Sequence, residues 1–436
     1  MGGSAKLDAI VVGGGPAGIS AAIVMARAGM DVVVMERGGY AGAKNVSGLL
    51  YSTVLKDLVP DFPETAPLER PVVRRSLAFI DKDMFVSLSF GSSSWSSKPY
   101  HNNAFVVYRS QFDRWYAKRA EEEGATVLEG TVVDGLIYEG RKVSGVRVRG
   151  DEDFHADLVV LADGANCPVT EEAIERLGIG PKVPQRYSIG VKEVVAIPKG
   201  TIEDRFGIGD DEGAALDFIG SPFGGLIGGG FIYTGKETVA VGFVATLDSV
   251  RKSGLNPNDI IEGFKRHPEV SRYIEGGDLL EYSAHLLPEG GFNSIPRPFA
   301  EGLMIAGDAA GFLNMAPLLH QGSNLAMESG RIAGEVAVEA WKKEDFSASS
   351  LSSYERRLKE SFVLWDLRRY RDVPKILEEI PEIFSVYPRS VCNAIISYFS
   401  ISPEPRPGIG KIARELLKGI PKLRLVRDIT RIRKMI

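Results

Sequence analysis

The chain has 436 residues, 44% hydrophobic and 25% charged, with a formal net charge of −5. That composition excludes a disordered or fibrous chain and leaves room for more than one domain. Two isolated cysteines, Cys167 and Cys392, exclude a four-cysteine iron–sulfur cluster or a C-x-x-C motif held by this chain alone, and point to a reducing compartment.

The opening MGGSAKLD has no apolar run, so no signal peptide is expected, and no stretch reaches the about 18 apolar residues of a membrane span. Residues 9–12 (AIVV) read as a buried parallel strand. Gly13, Gly15 and Gly18 follow at the spacing G-x-G-x-x-G, with Pro16 and Ala17 between them, and residues 19–28 are helix formers without a breaker. In a strand–turn–helix, Gly13 permits the tight turn and Gly15 leaves bare backbone for a pyrophosphate. Gly18 lets helix and strand pack closely, and the helix start offers N–H groups to phosphate. A second strand over 31–35 ends at Glu36, near the acidic position that binds an adenosine ribose. This stretch predicts a dinucleotide site and leaves FAD and NAD open.

Arg37 comes next, then a glycine-rich loop: Gly38, Gly39, Gly42 and Gly48 around Lys44 and Asn45. Such a loop covers a cofactor or forms a plain surface hairpin. Residues 68–90 alternate enough for short strands, and 91–97 (GSSSWSS) reads as a polar loop exposing Trp95. After an apolar run at 106–108, Arg109, Ser110 and Gln111 open a helix with Ser110 as its N-cap and Asp113 in its first turn. Gly124 ends that helix. Strands follow at 126–128 and within 132–148, turning at Glu139-Gly140. A buried strand at 158–161 ends at Asp163-Gly164, where an α/β sheet presents groups to a ligand.

Residues 186–297 change character and predict a mostly antiparallel sheet with one helix near 259–264. Within it, Gly225, Gly228 and Gly230 mimic a second nucleotide motif in spacing only. A strand and not a helix follows, so these glycines read as backbone that approaches a flat ligand closely. A buried strand at 303–306 ends at Gly307-Asp308, and Pro317 and Gly322 lead into a helix over 323–341 that begins at Ser323. From 346 the chain reads as helices separated by prolines. Residues 405–436 hold ten Lys/Arg against two Asp/Glu, so this tail carries +8 and the remainder −13. A basic amphipathic tail suits an anionic lipid surface, and a helix packed on the protein's own body explains the same pattern. It has no aromatic residue to stack on bases, so no nucleic-acid partner is expected.

The glycine motif with Glu36, Asp163-Gly164 and Gly307-Asp308, in this order, resembles the FAD fold of the glutathione-reductase class, in the branch of the aromatic hydroxylases. GAKNVSG at 42–48, GGGFIYTGKETVAVGFV at 228–244, the helix after Pro317 and LWDLRRYRDVPKILEE at 364–379 resemble the electron-transfer-flavoprotein:quinone oxidoreductase family, within it the FixC-type subunit. The resemblance implies an α/β fold with a Rossmann-like FAD domain (1–185 and 298–345), an inserted antiparallel β-rich quinone or substrate domain (186–297) and a helical region (346–436) for membrane-surface and subunit contact. It implies FAD as cofactor, with Glu36 on the adenosine ribose, Arg109 and Gln111 reaching pyrophosphate or ribose, and Asp308 on the ribityl chain. Gly322 and Ser323, at the start of helix 323–341, would face the flavin edge. Its donor would be a two-subunit electron-transfer flavoprotein, and its acceptor a membrane quinone contacting Gly228 and Gly229. His320 is the candidate proton donor. Long members of the family carry a cluster in a cysteine-bearing C-terminal domain that this chain lacks, which implies a separate ferredoxin-like iron–sulfur subunit in a FixABCX-like complex. Such a complex would be cytoplasmic and peripheral, on the inner face of the cell membrane. The shared FAD motifs also permit a geranylgeranyl-reductase-like or hydroxylase-like flavoenzyme, or a non-catalytic FAD relay subunit.

Overall fold

The computed structural model describes residues 6–43, 47–100, 103–316, 319–403, 405, 408–416 and 421–433. They form two compact units, the first from Met1–Leu68, Lys98–Arg186 and Leu286–Arg371, the second from Glu69–Ser97, Tyr187–His285 and Asp372–Ile436.

The first unit is built on a parallel sheet. Strand Leu7–Val12 lies between Val32–Glu36 and Phe154–Leu161, with Ile10 beside Val33 on one side and Val159 on the other. Leu303–Ile305 continues the sheet past Phe154–Leu161, and Thr126–Glu129 continues it past Val32–Glu36. Ile10, Val11, Val34, Val159 and Val160 have no exposed surface, as expected of parallel strands covered on both faces. Helix Pro16–Arg27 returns over the sheet and packs against the long helix Ser323–Lys342. Small residues allow that closeness: a Cβ on Gly330 would meet the Ala17 carbonyl oxygen at 2.0 Å, and one on Gly334 would meet Val24 Cβ at 2.7 Å. Strand Ser47–Tyr51, which the glycine-rich sequence hides, pairs antiparallel with Ala104–Tyr108. Helix Arg109–Glu122 begins one residue before the expected Ser110 cap, and Tyr108 at its N-cap makes no side-chain cap bond. The first turn is held instead by Arg109, which donates two 2.8 Å hydrogen bonds to Asp113.

The second unit is a mostly antiparallel sheet in the order Asp278–Pro288, Tyr187–Ala196, Thr238–Thr246, Gly228–Thr234, Gly213–Gly220, Leu68–Asp81, Met84–Gly91. Gly213–Gly220 and Leu68–Asp81 run parallel. The two-residue pleat sends Val191, Leu216, Phe218, Ile232, Val241 and Phe243 to one face, where they form a core with Ile260, Ile261 and Phe264 of helix Pro257–Lys265. Four helices, Lys199–Phe206, Leu247–Ser253, Pro257–Lys265 and Pro268–Ile274, stand where the sequence predicts one. Each spans only 7 to 9 residues, too short for a helical period to stand out from its surroundings.

This division differs from the boundaries expected from sequence. Residues 69–97, expected within the FAD domain, instead belong to a long hairpin of Leu68–Asp81 and Met84–Gly91 whose first strand runs beside Gly213–Gly220. The serine-rich loop contains a short 3-10 helix, Ser93–Ser96, and Trp95 is half-buried, edge-on to Phe90 at 6.4 Å. The predicted helical region also divides. Residues up to 371 stay with the first unit, while helix Val386–Phe399 packs on Met84–Gly91 and receives helix Lys422–Ile432 through a 2.7 Å bond from Tyr387 Oη to the buried Asp428.

Candidate functional site

The glycine turn after Leu7–Val12 is shaped by two different demands. Gly13 has φ +108°, and a Cβ there would lie 2.3 Å from the Ala162 carbonyl oxygen, so the turn sits hard against the end of Phe154–Leu161. A Cβ on Gly18 would lie 2.0 Å from the Gly13 oxygen. Gly15, at the N-cap of Pro16–Arg27, has nothing within 4 Å of its Cβ position and makes no side-chain cap bond. The first N–H groups of the helix therefore face open space, with the positive end of the helix dipole behind them. Glu36 closes the turn from the next strand, accepting from Gly14 N at 2.9 Å and Gly38 N at 2.6 Å.

Two further strand ends converge on this turn. Asp163 accepts a 2.6 Å bond from the Thr170 hydroxyl, and Gly164 takes φ +77°. A Cβ on Gly307 would lie 2.8 Å from Ala17 Cβ, which brings the Gly307-Asp308 end beside the first helical turn. Burial alone would lower the Arg109 pKa, but Asp113 more than offsets it and Asp308 adds to the effect, so the guanidinium is held firmly charged. Gly42, φ +83°, approaches the Arg109 carbonyl oxygen so closely that a Cβ would lie 2.5 Å from it, so the glycine-rich loop packs on the start of helix Arg109–Glu122. Gly48 has open space around its Cβ position. Arg37 and Gln111 are exposed, and Lys44 and Asn45 lie outside the described residues.

Before the long helix, the expected turn is a hairpin, Asn314–Ala316 with Leu319–Gln321, because Asn314 pairs with Gln321 and Ala316 with Leu319. His320 is exposed on it, and its carbonyl accepts from Tyr51 Oη at 3.1 Å. Gly322 stands at the N-cap without a side-chain cap, and the Ser323 hydroxyl accepts from Tyr51 N at 3.4 Å. Asn314 and Asn324 each bury a carboxamide oxygen that has no hydrogen-bond partner among the described residues. Sequence reasoning missed Tyr51, Asn314 and Asn324; the Asn directly after Gly322-Ser323 was the available signal. Open space at Gly15 and Gly48 and two uncapped helix starts fit an elongated polyanionic dinucleotide lying along these strand ends, and the two orphan carboxamide oxygens suit its hydroxyl or N–H donors. Burial and then Asp163 push the thiol of Cys167, beside this region, up to about 12, which favours its protonated form.

In the second unit, Gly228 and Gly229 open strand Gly228–Thr234 and do not form a loop, because Gly228 already pairs with Ala245. A Cβ on Gly228 would lie 2.1 Å from the Val244 oxygen, and one on Gly229 would lie 2.4 Å from the Phe218 oxygen. Beyond them the Phe231 and Tyr233 rings stack at 4.7 Å, on the face opposite the Phe264 core. Asp217 lies opposite Phe231 on that same face. Burial raises its carboxyl to about 6 against the opposing pull of Arg75. Nothing in the local pattern marks this residue: an acid in an apolar strand reads as solvent-facing.

Residues 8–164 match the FAD dependent oxidoreductase family, and residues 187–287 match the family described as ETF-QO, ubiquinone-binding. A probable electron transfer flavoprotein-quinone oxidoreductase of Escherichia coli strain K12, YdiS, is 41% identical over 97% of both chains. The FixC protein of Azorhizobium caulinodans is 41% identical over 92% of both. Among solved structures, a geranylgeranyl bacteriochlorophyll reductase-like protein from Thermoplasma acidophilum has a TM-score of 0.71 at 20% identity, covering 99% of both chains. The myxobacterial FAD-dependent halogenase CndH has 0.63 at 17%, covering 98% of this chain and 89% of that one. At such identities the two structures share the fold alone. The end-to-end match to YdiS and FixC, on top of a dinucleotide cradle and a separate sheet, decides the matter: the chain belongs to the family of FixC proteins and electron transfer flavoprotein–quinone oxidoreductases, and it is an FAD-dependent oxidoreductase.

Proposed function

We propose that the protein passes electrons from an electron-transfer flavoprotein to a membrane quinone. The observation that carries this reading is the ubiquinone-binding family match over residues 187–287, the strands that contain Gly228 and Gly229. FAD lies in the cradle of the first unit in the manner of the glutathione-reductase class. Gly13, Gly15, Pro16, Ala17 and Gly18 surround its pyrophosphate, and Glu36 and Arg37 its adenosine. Arg109, Gln111 and Gly48 take the middle of the molecule with Asp163-Gly164. Asp308, after Gly307, takes the ribityl chain, and Gly322 and Ser323 face the flavin edge. Bound FAD exchanges electrons singly or in pairs, which links a one-electron donor to a two-electron acceptor. The uncapped helix starts at Gly15 and Gly322 steady negative charge at the two ends of the site.

A separate ferredoxin-like iron–sulfur subunit completes a FixABCX-like complex, peripheral on the inner face of the cell membrane. No helix among the described residues is long and apolar enough to cross a membrane. Attachment rests on apolar side chains: Phe85, Leu88 and Phe90 are exposed on strand Met84–Gly91, and Ile396, Phe399 and Ile401 are exposed on and after the helix packed against it. The arginines of helix Lys422–Ile432 add little free charge, since Arg424, Arg427 and Arg431 are ion-paired with Glu382, Asp428 and Glu379.

The test mixes the purified yellow protein with reduced electron-transfer flavoprotein and a short-chain quinone and follows quinol formation. Turnover supports the proposal. No turnover there, but turnover with NADPH and an isoprenoid, overturns it in favour of a reductase of lipid substrates. Turnover only after a cluster-bearing subunit is added makes this chain a relay within the complex.

A further inference from the structure

The sheet face that carries Phe231 and Tyr233 also carries two charged groups with no internal use. Asp217 sits between Leu77 and Phe231 on neighbouring strands. Arg75 lies one side-chain position along, beside Ala215. Both are half-buried, and among the described residues neither makes a hydrogen bond or an ion pair. Other acids of this unit behave differently. Glu193 is paired with Lys265 at 2.8 Å, Glu269 with Arg272 at 3.1 Å, and Asp81 with Arg389 at 3.3 Å. A half-buried carboxyl among Leu77, Phe231 and Ala215 that takes no partner costs stability, which calls for a role outside the fold.

Its position supplies one. Gly229, Phe231 and Tyr233 alternate onto the same face as Asp217, and Gly229 is one side-chain repeat, about 7 Å, from the Asp217–Phe231 pair. On the reading that quinone binds at Gly228 and Gly229, we infer that Asp217 is the acid that protonates the quinone as it is reduced, with Arg75 steadying the carboxylate left behind. Reduction of a quinone to a quinol adds two electrons, supplied by the proposed donor, and two protons. The O–H bond of neutral Asp217 breaks, its proton forms the new O–H bond at one quinone oxygen, and the carboxylate remains near Arg75. Water then reprotonates Asp217 and supplies the proton for the second oxygen.

An acidity of about 6 suits this task, because the acid is partly neutral near physiological pH and still gives its proton up readily. Other titratable groups on this face include Tyr233, one position along, Lys192, in the same row beyond Phe231 and Gly242, and, on the far strand Asp278–Pro288, Glu281 and His285, which alternate with Tyr282 on the helix side. From helix Val386–Phe399 come Arg389, held by Asp81, and Cys392, whose thiol burial pushes up to about 11; Asp81 is two side-chain positions beyond Leu77.

The test uses the FAD-loaded protein, photoreduced without air and mixed with either a short-chain quinone or ferricenium, which accepts electrons without protons. D217N is expected to slow quinone reduction roughly 100-fold, to leave ferricenium reduction within about twofold, and to bind oxidised quinone as the parent does in equilibrium dialysis. The parent's quinone rate falls as pH rises above about 6, D217N flattens that dependence, and D217E restores it. Infrared titration of the oxidised protein shows a carboxylic acid band lost near pH 6 in the parent and absent in D217N. A near-parental D217N quinone rate with its pH dependence intact overturns the inference, as does equal slowing with both acceptors. If the parent reduces ferricenium and never quinone, the quinone reading itself falls and takes this role with it.

Discussion

Gly330 couples the long helix to the glycine turn at Gly13–Gly18, so Gly330→Ala tests whether packing sets the shape of that turn. Its Cβ would meet the Ala17 oxygen at 2.0 Å and the Ala17 carbonyl carbon at 2.8 Å. Carbon–oxygen contacts settle at about 3.3 Å or more, so the two helices must part by roughly 1.3 Å. The contact cannot relax through a flexible side chain, because both partners are backbone. Ile19, Ile23, Ala333 and Val336 around it are almost fully buried, so separation opens packed surface. Overpacking of this kind costs about 1–3 kcal/mol. For a unit of 150–250 residues that is a fall of roughly 3–10 °C in melting temperature. Ala17 lies in the first turn of Pro16–Arg27, so FAD binding should weaken about tenfold as well, about 1.4 kcal/mol. The assay is a thermal scan with and without FAD plus a fluorescence titration, with Gly39→Ala as control because nothing lies within 4 Å of its Cβ position. A G330A protein that melts with the parent and binds FAD as well refutes the claim that this contact shapes the site.

Glu36→Gln leaves one amide N–H of the turn facing an NH2 group, since the carboxylate now accepts from both Gly14 and Gly38. At about 1.5–3 kcal/mol for a lost charged hydrogen bond, calorimetry should show FAD affinity down roughly 10- to 100-fold, and an unchanged affinity counts against the assignment. Asp217→Asn should raise stability in a pH-dependent way. The folded carboxyl titrates at about 6 and the unfolded one at 3.8, so the folded state binds more protons between these values and its stability falls as pH rises through them. The substitution therefore gains up to about 3 kcal/mol above pH 7 and nothing near pH 3; urea melts showing the same gain at both pH values would contradict it. Replacing Phe399 and Ile401 by Asp should reduce co-sedimentation with neutral and anionic vesicles alike, because these side chains are 72% and 88% exposed. Loss from anionic vesicles only would return the weight to the tail's charge.

The sheet of the first unit was legible because parallel strands are written as unbroken apolar runs. Residues 9–12 and 158–161 fall wholly on strands, 303–306 overruns strand Leu303–Ile305 by one residue, and the predicted long helix differs from Ser323–Lys342 by one residue at its end. Strand Ser47–Tyr51 was illegible because its stability comes from a partner about 55 residues away, Ala104–Tyr108, and not from local pattern. Similarly, Leu68–Asp81 looked like short broken strands because charged residues such as Arg70 and Arg74 interrupt it. In the fold those arginines are absorbed by specific acceptors: Arg70 by Glu203 and two carbonyls, Arg74 by the Phe206 and Gly207 carbonyls. Asp217 is the counterpart of these residues, a charge in a strand that has no hydrogen-bond donor or ion-pair partner among the described residues.

The glycines of the opening motif look equivalent in sequence, and the fold separates them. Gly13 and Gly18 are required by backbone 2.0–2.3 Å from their missing Cβ atoms, whatever is bound. Gly15 is different: its φ of −82° and ψ of 179° suit any residue, and its Cβ position is empty to 4 Å. Nothing within the first unit requires a glycine there, which is what a ligand lying against bare backbone would call for. Gly15→Ala should then leave the FAD-free protein as stable as the parent or better, by about 0.4–1 kcal/mol from reduced unfolded-state entropy. At the same time the methyl group occupies the space open to a pyrophosphate, and FAD should be lost on purification. Gly13→Ala should do the reverse in order, unfolding the turn first and losing FAD as a consequence. Comparing the melting temperature of the stripped proteins with their FAD content separates the two causes. A destabilised G15A that still holds FAD would mean that Gly15 serves the fold, and that the pyrophosphate lies elsewhere.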